Sequence, residues 1–408
     1  MLASLVVAAL ICADDPVPTR VVGGHLERGG RRYEIKGAGG DGSPALLARL
    51  GGNSIRTWGA DRAGTVLDEA HKQGLTVTLG IWLGHERHGF KYDDPAQVAA
   101  QREKAREVIV RYKDHPALLM WGLGNEMEGY GAGDKPAIWR AVEEIAALAH
   151  SLDKAHPTMT VVAEIGGGRV GAIHTLCPSI DVVGINSYAG AASIPRRYKA
   201  AGGAKPYVLT EFGPAGFWES PKTAWGTPIE PGDAAKAETY RRSYIGNRDE
   251  PLCLGSYAFL WGHKQEATGT WFGMLLKSGE RTASADAMGV LWAGKPAGDR
   301  APTLGTLKMD GPGRCRPGAR LRVSTTAADP EGGPVTVAWE LRREGGGGTG
   351  GDAEAAPESF PRSIAEARPD GVRLTMPDRP GPYRLFAVAR DGRGGAAVAN
   401  LPLLVERP

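Results

Sequence analysis

Between about residues 20 and 293 the chain repeats one unit eight times, a short apolar run followed by a longer amphipathic one. Short apolar runs suit strands covered on both faces, and 3.6-residue periodicity suits the helices that cover them. The pattern therefore predicts parallel βα units. The predicted strands span 33–38, 54–58, 76–82, 117–123, 159–163, 180–185, 207–210 and 254–261. The clearest helices span 95–113 and 135–154, the first with Asp94 as N-cap and Pro95 at its first position. Eight such units predict an α/β fold, a closed (β/α)8 TIM barrel over 20–295. A doubly wound open sheet would have fewer strands and a Gly-rich phosphate loop after the first. The run Gly37-Ala38-Gly39-Gly40 matches that loop poorly and lacks an acidic partner at the right distance.

The flanks read differently. Residues 21–35 form a hairpin pattern with a Gly-Gly turn, placed to plug the barrel bottom. After Gly294 a Pro/Gly-rich linker leads to short alternating strands at 321–325, 335–341, 372–376 and 383–390. These predict a small all-β immunoglobulin-like sandwich over 303–408, with a low-complexity mobile loop at 344–359. At the other end, Leu2 to Cys12 is apolar but too short to span a bilayer, and Asp14, Asp15 and Pro16 follow. This predicts a signal peptide at 1–13 and a secreted or periplasmic protein. Lipidation of Cys12 is disfavoured by the bulky Ile11 before it.

Composition removes several function classes. Apolar residues make up 42% and charged residues 23%, and the net charge is +3 with no basic run, which argues against a nucleic-acid partner. No other segment is apolar enough to be a transmembrane helix, and nothing fixes the oligomeric state. Beyond the signal peptide, Cys177, Cys253 and Cys315 are an odd count, so they cannot form a full disulfide framework. No Cys/His spacing suggests zinc, and no cofactor is expected. The ten Trp either fill the core or stack on sugar faces.

Two segments carry chemistry. Trp121-Gly122-Leu123-Gly124-Asn125-Glu126 places Asn125 and Glu126 at the C-terminal end of the fourth strand, and Tyr207-Val208-Leu209-Thr210-Glu211-Phe212-Gly213 places Glu211 at that end of the seventh. In a barrel this end is the active-site face. Strands four and seven lie across the barrel from each other, so their tips can meet over its centre. Two carboxyls there suit glycosidic bond cleavage, one protonated to serve the leaving oxygen and one ionised to attack the anomeric carbon. Their mutual repulsion separates the two pKa values. Taken singly, each Glu would read as a helix cap or ion pair.

On these residues the barrel resembles clan A glycoside hydrolases, most closely the family 2 catalytic barrel. The segment DHPALLMWGLGNEME resembles the fourth-strand motif and KPYVLTEFGP the seventh. The resemblance implies Glu126 as acid/base and Glu211 as nucleophile. Likewise GGNSIRTWG implies Arg56 beside the nucleophile, with Trp58 in the substrate site. DVVGINSYAG implies Tyr188 touching the nucleophile, and FLWG implies Trp261 as a floor under the sugar. Asn125 is expected to bond the sugar 2-OH. Family 2 enzymes carry sandwich domains before the barrel, whereas here a sandwich resembling a PKD or cadherin module follows it.

Other candidates come from the loops. The third-strand loop GIWLGHERHGF, which also holds Glu86, brings Trp82 and His85 to the mouth, and a two-His metal site of His85 and His88 lacks a clear third ligand. The eighth-strand loop holds His263, Lys264, Gln265, Glu266 and Trp271, a sugar subsite or scaffolding. Trp218 and Trp225 are expected as an outer platform, and Asp329 and Glu331 as a solvated turn rather than a calcium site. The expected function is retaining hydrolysis of a β-linked oligo- or polysaccharide. A β-glucan transglycosylase and a non-catalytic carbohydrate-binding surface protein are the alternatives.

Overall fold

The computed structural model describes residues 15–407 except Tyr130, Ala132, Ala297, 346–349 and Ala353. The expected signal peptide and Cys12 lie outside the described residues. Eight parallel strands close a barrel: β1 Ile35–Gly39, β2 Ser54–Arg56, β3 Thr76–Ile81, β4 Leu118–Leu123, β5 Thr158–Ala163, β6 Val182–Asn186, β7 Tyr207–Phe212 and β8 Cys253–Phe259. Eight helices alternate with them: α1 Pro44–Arg49, α2 Ala63–Lys72, α3 Pro95–Tyr112, α4 Pro136–Leu152, α5 Arg169–Leu176, α6 Ile194–Ala200, α7 Asp233–Arg248 and α8 Ala283–Ala293. All six residues of β3, β4 and β7 are buried, as expected of strands sandwiched between barrel interior and helices. α3 begins as its sequence predicts, with the Asp94 carboxylate accepting from the Ala96 and Gln97 amides.

The bottom of the barrel is closed by its own N-terminal segment. Thr19–Val22, His25–Arg28 and Arg31–Tyr33 form a small antiparallel sheet. Leu26 from this sheet is 1% exposed and packs with Ile35, Leu119, Met159, Val182, Val208 and Leu254. Full burial of one such side chain stabilises the fold by about 1.5–3 kcal/mol. The Thr19 amide donates to Ala155 O at 2.7 Å, and Arg28 donates to Pro116 O, which ties the sheet to the loops entering β5 and β4.

Beyond α8 lie two four-stranded sheets. One contains Lys308–Met309, Arg320–Ser324, Gly371–Thr375 and Ile364–Arg368, and the other Arg314–Cys315, Ala396–Val405, Gly381–Arg390 and Thr336–Arg343. They share one apolar core with Val323, Val372 and Leu374 from the first sheet and Leu341, Tyr383, Leu385 and Leu403 from the second. Asp329 and Glu331 occupy a turn, where Asp329 pairs with Arg393 and Glu331 with Arg300. This all-β unit is bolted to the barrel. The Val398 amide donates to Asp233 Oδ2 at 2.7 Å, buried Arg384 donates to Pro228 O at 2.7 Å, and Arg281 pairs with both Asp286 and Asp299. Among the described residues the three cysteines are free, and no helix is long and apolar enough to cross a membrane.

Candidate active site

At the C-terminal ends of the strands a cavity of about 880 Å³ opens. Glu126 and Glu211 both line it, with Trp58, Trp82, His85, Asn125 and Tyr188. The two acids arrive on unlike backbones. Glu211 is the fifth residue of β7 and 6% exposed. Glu126 sits just past β4 with φ +54°, a left-handed conformation uncommon for a residue with a side chain. Gly124 makes that turn feasible, because at its φ of +73° a Cβ would collide with the Met127 side chain. The Glu126 amide donates to Val161 O at 2.9 Å, so the turn is fastened to β5. The same loop is held by Glu128, whose buried carboxylate accepts from Ala163 N at 2.8 Å and Arg169 Nε at 2.9 Å.

Every hydrogen-bond partner of the Glu211 carboxylate donates. Arg56 Nη1 reaches Oε1 at 2.9 Å, Trp58 Nε1 reaches Oε1 at 2.8 Å, and the Tyr188 hydroxyl reaches Oε2 at 2.8 Å. A cationic donor and two neutral ones suit a carboxylate that carries charge. Burial, then the negative charges of Glu211 and Glu126, push the Tyr188 phenol well above its ordinary range, so it stays a donor. Arg56 is itself 2% exposed and lies behind the cavity wall, with its guanidinium 5.0 Å from the Trp58 ring centre.

Glu126 has different surroundings. Burial first, and then the charge of Glu211, push its carboxyl up to about 8, against an opposing hydrogen bond from Asn186. Asn186 Nδ2 donates to Glu126 Oε1 at 2.6 Å and to Asn125 Oδ1 at 3.1 Å. Its amide is oriented by Thr210, whose hydroxyl donates to Asn186 Oδ1 at 2.8 Å. Arg56 Nη2 reaches the same Asn125 oxygen at 2.7 Å. One connected network thus runs from Glu211 through Arg56, Asn125 and Asn186 to Glu126.

The rim is aromatic. Trp82 and Trp218 are about half exposed, and both line the cavity. Trp82 stacks on His85 with ring centres 4.7 Å apart, and His85 stacks on His88 at 5.5 Å. His85 is 4% exposed, and neither ring nitrogen has a well-formed hydrogen-bond partner. Burial, then the positive charges of Arg87 and His88, lower its pKa to about 4, so the ring is neutral near pH 7. Among the described residues no group of three His, Cys, Asp or Glu could hold a metal ion.

Two expectations need correction. Trp261 is not a floor for the cavity, because β8 ends at Phe259 and the chain then turns away. The Trp261 amide donates to Gly39 O at 2.8 Å, its indole donates to Ser43 O at 3.1 Å, and the ring packs over Gly42 and is 1% exposed. Phe259 and Leu260 line the cavity instead. Trp225, expected as a platform, lies under the Arg314 guanidinium at 5.5 Å, against the C-terminal unit. Sequence reading also missed Asn186 and Glu164. Each is the polar residue that follows an apolar strand run, and that position was the available signal. Glu164 has φ +73° and its carboxylate pairs with Arg197 at 2.9 Å and accepts from Ser187 at 2.7 Å.

Comparison with known proteins bears on the barrel that carries this site. Residues 56–229 match the family model described as glycosyl hydrolases family 2, TIM barrel domain. A β-galactosidase of Enterobacter cloacae is 33% identical over 86 residues, which is 21% of this chain and 7% of that protein. A β-galactosidase of Arthrobacter sp. (strain B7) is 33% identical over 121 residues, 28% of this chain and 11% of that protein. Among solved structures, a β-D-glucuronidase of Dictyoglomus thermophilum superposes with a TM-score of 0.55 at 19% identity, covering 69% of this chain and 54% of that one. A Bacteroides uniformis β-glucuronidase covers 96% of this chain and 48% of its own, with a TM-score of 0.53 at 12% identity. The chain therefore spans no more than 11% of these two β-galactosidases and about half of each β-glucuronidase, and the structural likeness concerns the fold.

Proposed function

We propose that this chain is a retaining glycoside hydrolase acting on β-linked sugars, with Glu211 as nucleophile and Glu126 as general acid/base. The observation that carries the reading is the contrast between the two carboxyls. Glu211 is met only by donors, whereas Glu126 is raised to about 8 and so holds a proton at neutral pH. In the first step a Glu211 oxygen bonds to the anomeric carbon, the glycosidic bond breaks, and Glu126 gives its proton to the leaving oxygen. In the second, Glu126 takes a proton from water, the water oxygen bonds to the same carbon, and Glu211 leaves. This double displacement requires carboxyls about 5–5.5 Å apart.

The remaining residues fit supporting roles. Asn125 is offered to the sugar 2-OH, His85 backs the ring of Trp82 by stacking, and Trp58, Trp82 and Phe259 offer flat faces. The lining favours an uncharged sugar. Of the other carboxylates on the lining, Glu164 is matched by Arg197 and Glu266 by Lys264, Glu219 adds negative charge, and the lining cations Arg87 and Lys264 are engaged by Asp352 and Glu266. On this ground we favour a neutral substrate such as a β-galactoside over a β-glucuronide. A transglycosylase would share the same intermediate and differ only in the acceptor. We further infer a secreted or periplasmic location from the N-terminal sequence, and an immunoglobulin-like, PKD- or cadherin-related identity for the C-terminal unit.

The test is turnover of a panel of 4-nitrophenyl β-glycosides by the wild type and Glu211→Ala. The variant is expected to lose at least about 10⁴-fold in kcat. Proton NMR of the first-formed product is expected to show the β-anomer. Undiminished turnover in the variant, or an inverted product, ends the assignment.

A further inference from the structure

The low-complexity stretch 344–359, expected to be a free loop, reaches back to the barrel mouth. Its base is closed, with the Arg343 amide donating to Glu358 O at 2.9 Å and the Phe360 amide to Leu341 O at 2.8 Å. The described part of its tip is fastened at several points. The Gly351 amide donates to Glu266 Oε1 at 2.9 Å, and Gly351 O accepts from Lys264 Nζ at 3.2 Å. Gly350 O accepts from Arg87 Nη1 at 3.3 Å. Asp352 Oδ1 pairs with Arg87 at 3.2 Å and with His88 at 3.3 Å, and the Ala267 amide donates to Glu354 Oε2 at 3.0 Å.

These anchors sit on two loops, Arg87 and His88 after β3 and Lys264, Glu266 and Ala267 after β8. In the closed barrel β1 and β2 separate those loops, so the tip joins the rim across that side of the mouth. Gly350 and Gly351 line the same cavity as Glu126 and Glu211. The β8 loop is built around the contact. The Glu266 side chain is 3% exposed, and a carboxylate that buried needs partners, which here are the Lys264 ammonium, an ion pair at 2.6 Å, and the Gly351 amide as donor. Gly351 has φ +90°, a conformation that favours glycine, and its lack of a side chain lets the backbone pass close to the cavity. The mount is firm, since the unit carrying the tip is fixed through Asp233, Pro228 and Arg281.

We propose that residues 350–352 are a specificity-determining wall, which closes the cavity on the β1–β2 side so that it accepts the terminal unit of a β-linked glycan and not the interior of a chain. This rests on the glycosidase reading and names the substrate class of that site. A chain crossing the mouth in that direction meets backbone, so the rest of the glycan would have to leave past the opposite lining, which includes Glu164, Tyr188 and Trp218.

The experiment compares the wild type with the double variant Gly351→Pro/Asp352→Ala and with Arg87→Ala, which release the tip from its two sides. Turnover is measured on a 4-nitrophenyl β-glycoside and on a β-linked polysaccharide of the same sugar, with product lengths read by chromatography. The polysaccharide-to-aryl-glycoside ratio is expected to rise at least about tenfold in both variants, and products to shift from single sugars towards oligosaccharides. An unchanged ratio and product pattern overturns the wall. Loss of all aryl-glycoside turnover in the wild type would instead count against the glycosidase reading. In that event calorimetry with β-linked oligosaccharides still decides the wall, because the released variants should gain affinity with chain length relative to the wild type, and no such gain would overturn it.

Discussion

At the N-terminal end of the barrel, Leu26 disappears among Ile35, Leu119, Met159 and Val208, and the backbone around it is paired to the loops entering β4 and β5. At the C-terminal end, Glu126 and Glu164 hold left-handed backbone conformations, two carboxyls crowd one cavity, and His85 keeps both ring nitrogens unsatisfied. One end is closed by apolar packing and backbone pairing, and the other leaves charge, strain and bonding capacity unspent. Backbone strain and unpaired buried groups each cost about 1–3 kcal/mol, so the mouth is tolerable only because the rest of the barrel over-determines it.

That division can be broken from either end. After Glu211→Ala, Glu126→Ala should give the largest effect. Turnover of glycosides with a poor leaving group is expected to fall about 10²–10⁴-fold, with a much smaller loss for a 2,4-dinitrophenyl leaving group, which needs little protonation. The alkaline limb of the wild-type profile, expected near pH 8, should vanish with it. Equal loss on both substrates would remove Glu126 from the acid role. At the other end, Leu26→Ala should cost about 2–5 kcal/mol in chemical denaturation while kcat stays within about twofold. A variant that kept its stability but lost activity would mean that the two ends are coupled.

The last effect, absent at acid pH and growing only as the pH rises, is the cost that Glu126 imposes on the fold. Its carboxyl rises from an ordinary 4.5 to about 8 in the native state. A raised native pKa gives a contribution that is fully present below about pH 4.5 and lost as the pH climbs through 8. The non-titrating Glu126→Gln should therefore gain thermal stability over the wild type as pH rises across this window, with roughly 2–4 °C for each kcal/mol. Melting curves at the two ends of the window measure it. A difference that does not change with pH would show that the carboxyl is not destabilised where it sits.

Much of this was legible beforehand because it depends on local rules. Each of the eight barrel strands falls within or beside a predicted run, and the N-cap Asp94 and the strand-tip acids follow from propensity and alternation. The bottom plug was readable because a hairpin with an apolar face needs something to cover. The errors lie where neighbours distant in sequence compete for a residue. The apolar run puts Trp261 at the end of a strand, but its amide and indole find acceptors at Gly39 and Ser43, and the ring follows them out of the cavity. Trp225 was drawn to Arg314 in the C-terminal unit.

The sequence alone determined the repeating βα architecture, the placement of Glu126 and Glu211 at strand ends and the existence of a separate all-β unit, because periodicity and turn residues act over a few positions. Only the tertiary structure decided which residues complete the site. Asn186 lies next to Glu126 through barrel closure, and Gly351 reaches the rim because the C-terminal unit is fixed to the barrel. No local pattern encodes either approach, since a hydrogen bond between residues 60 or 85 positions apart depends on how whole elements pack.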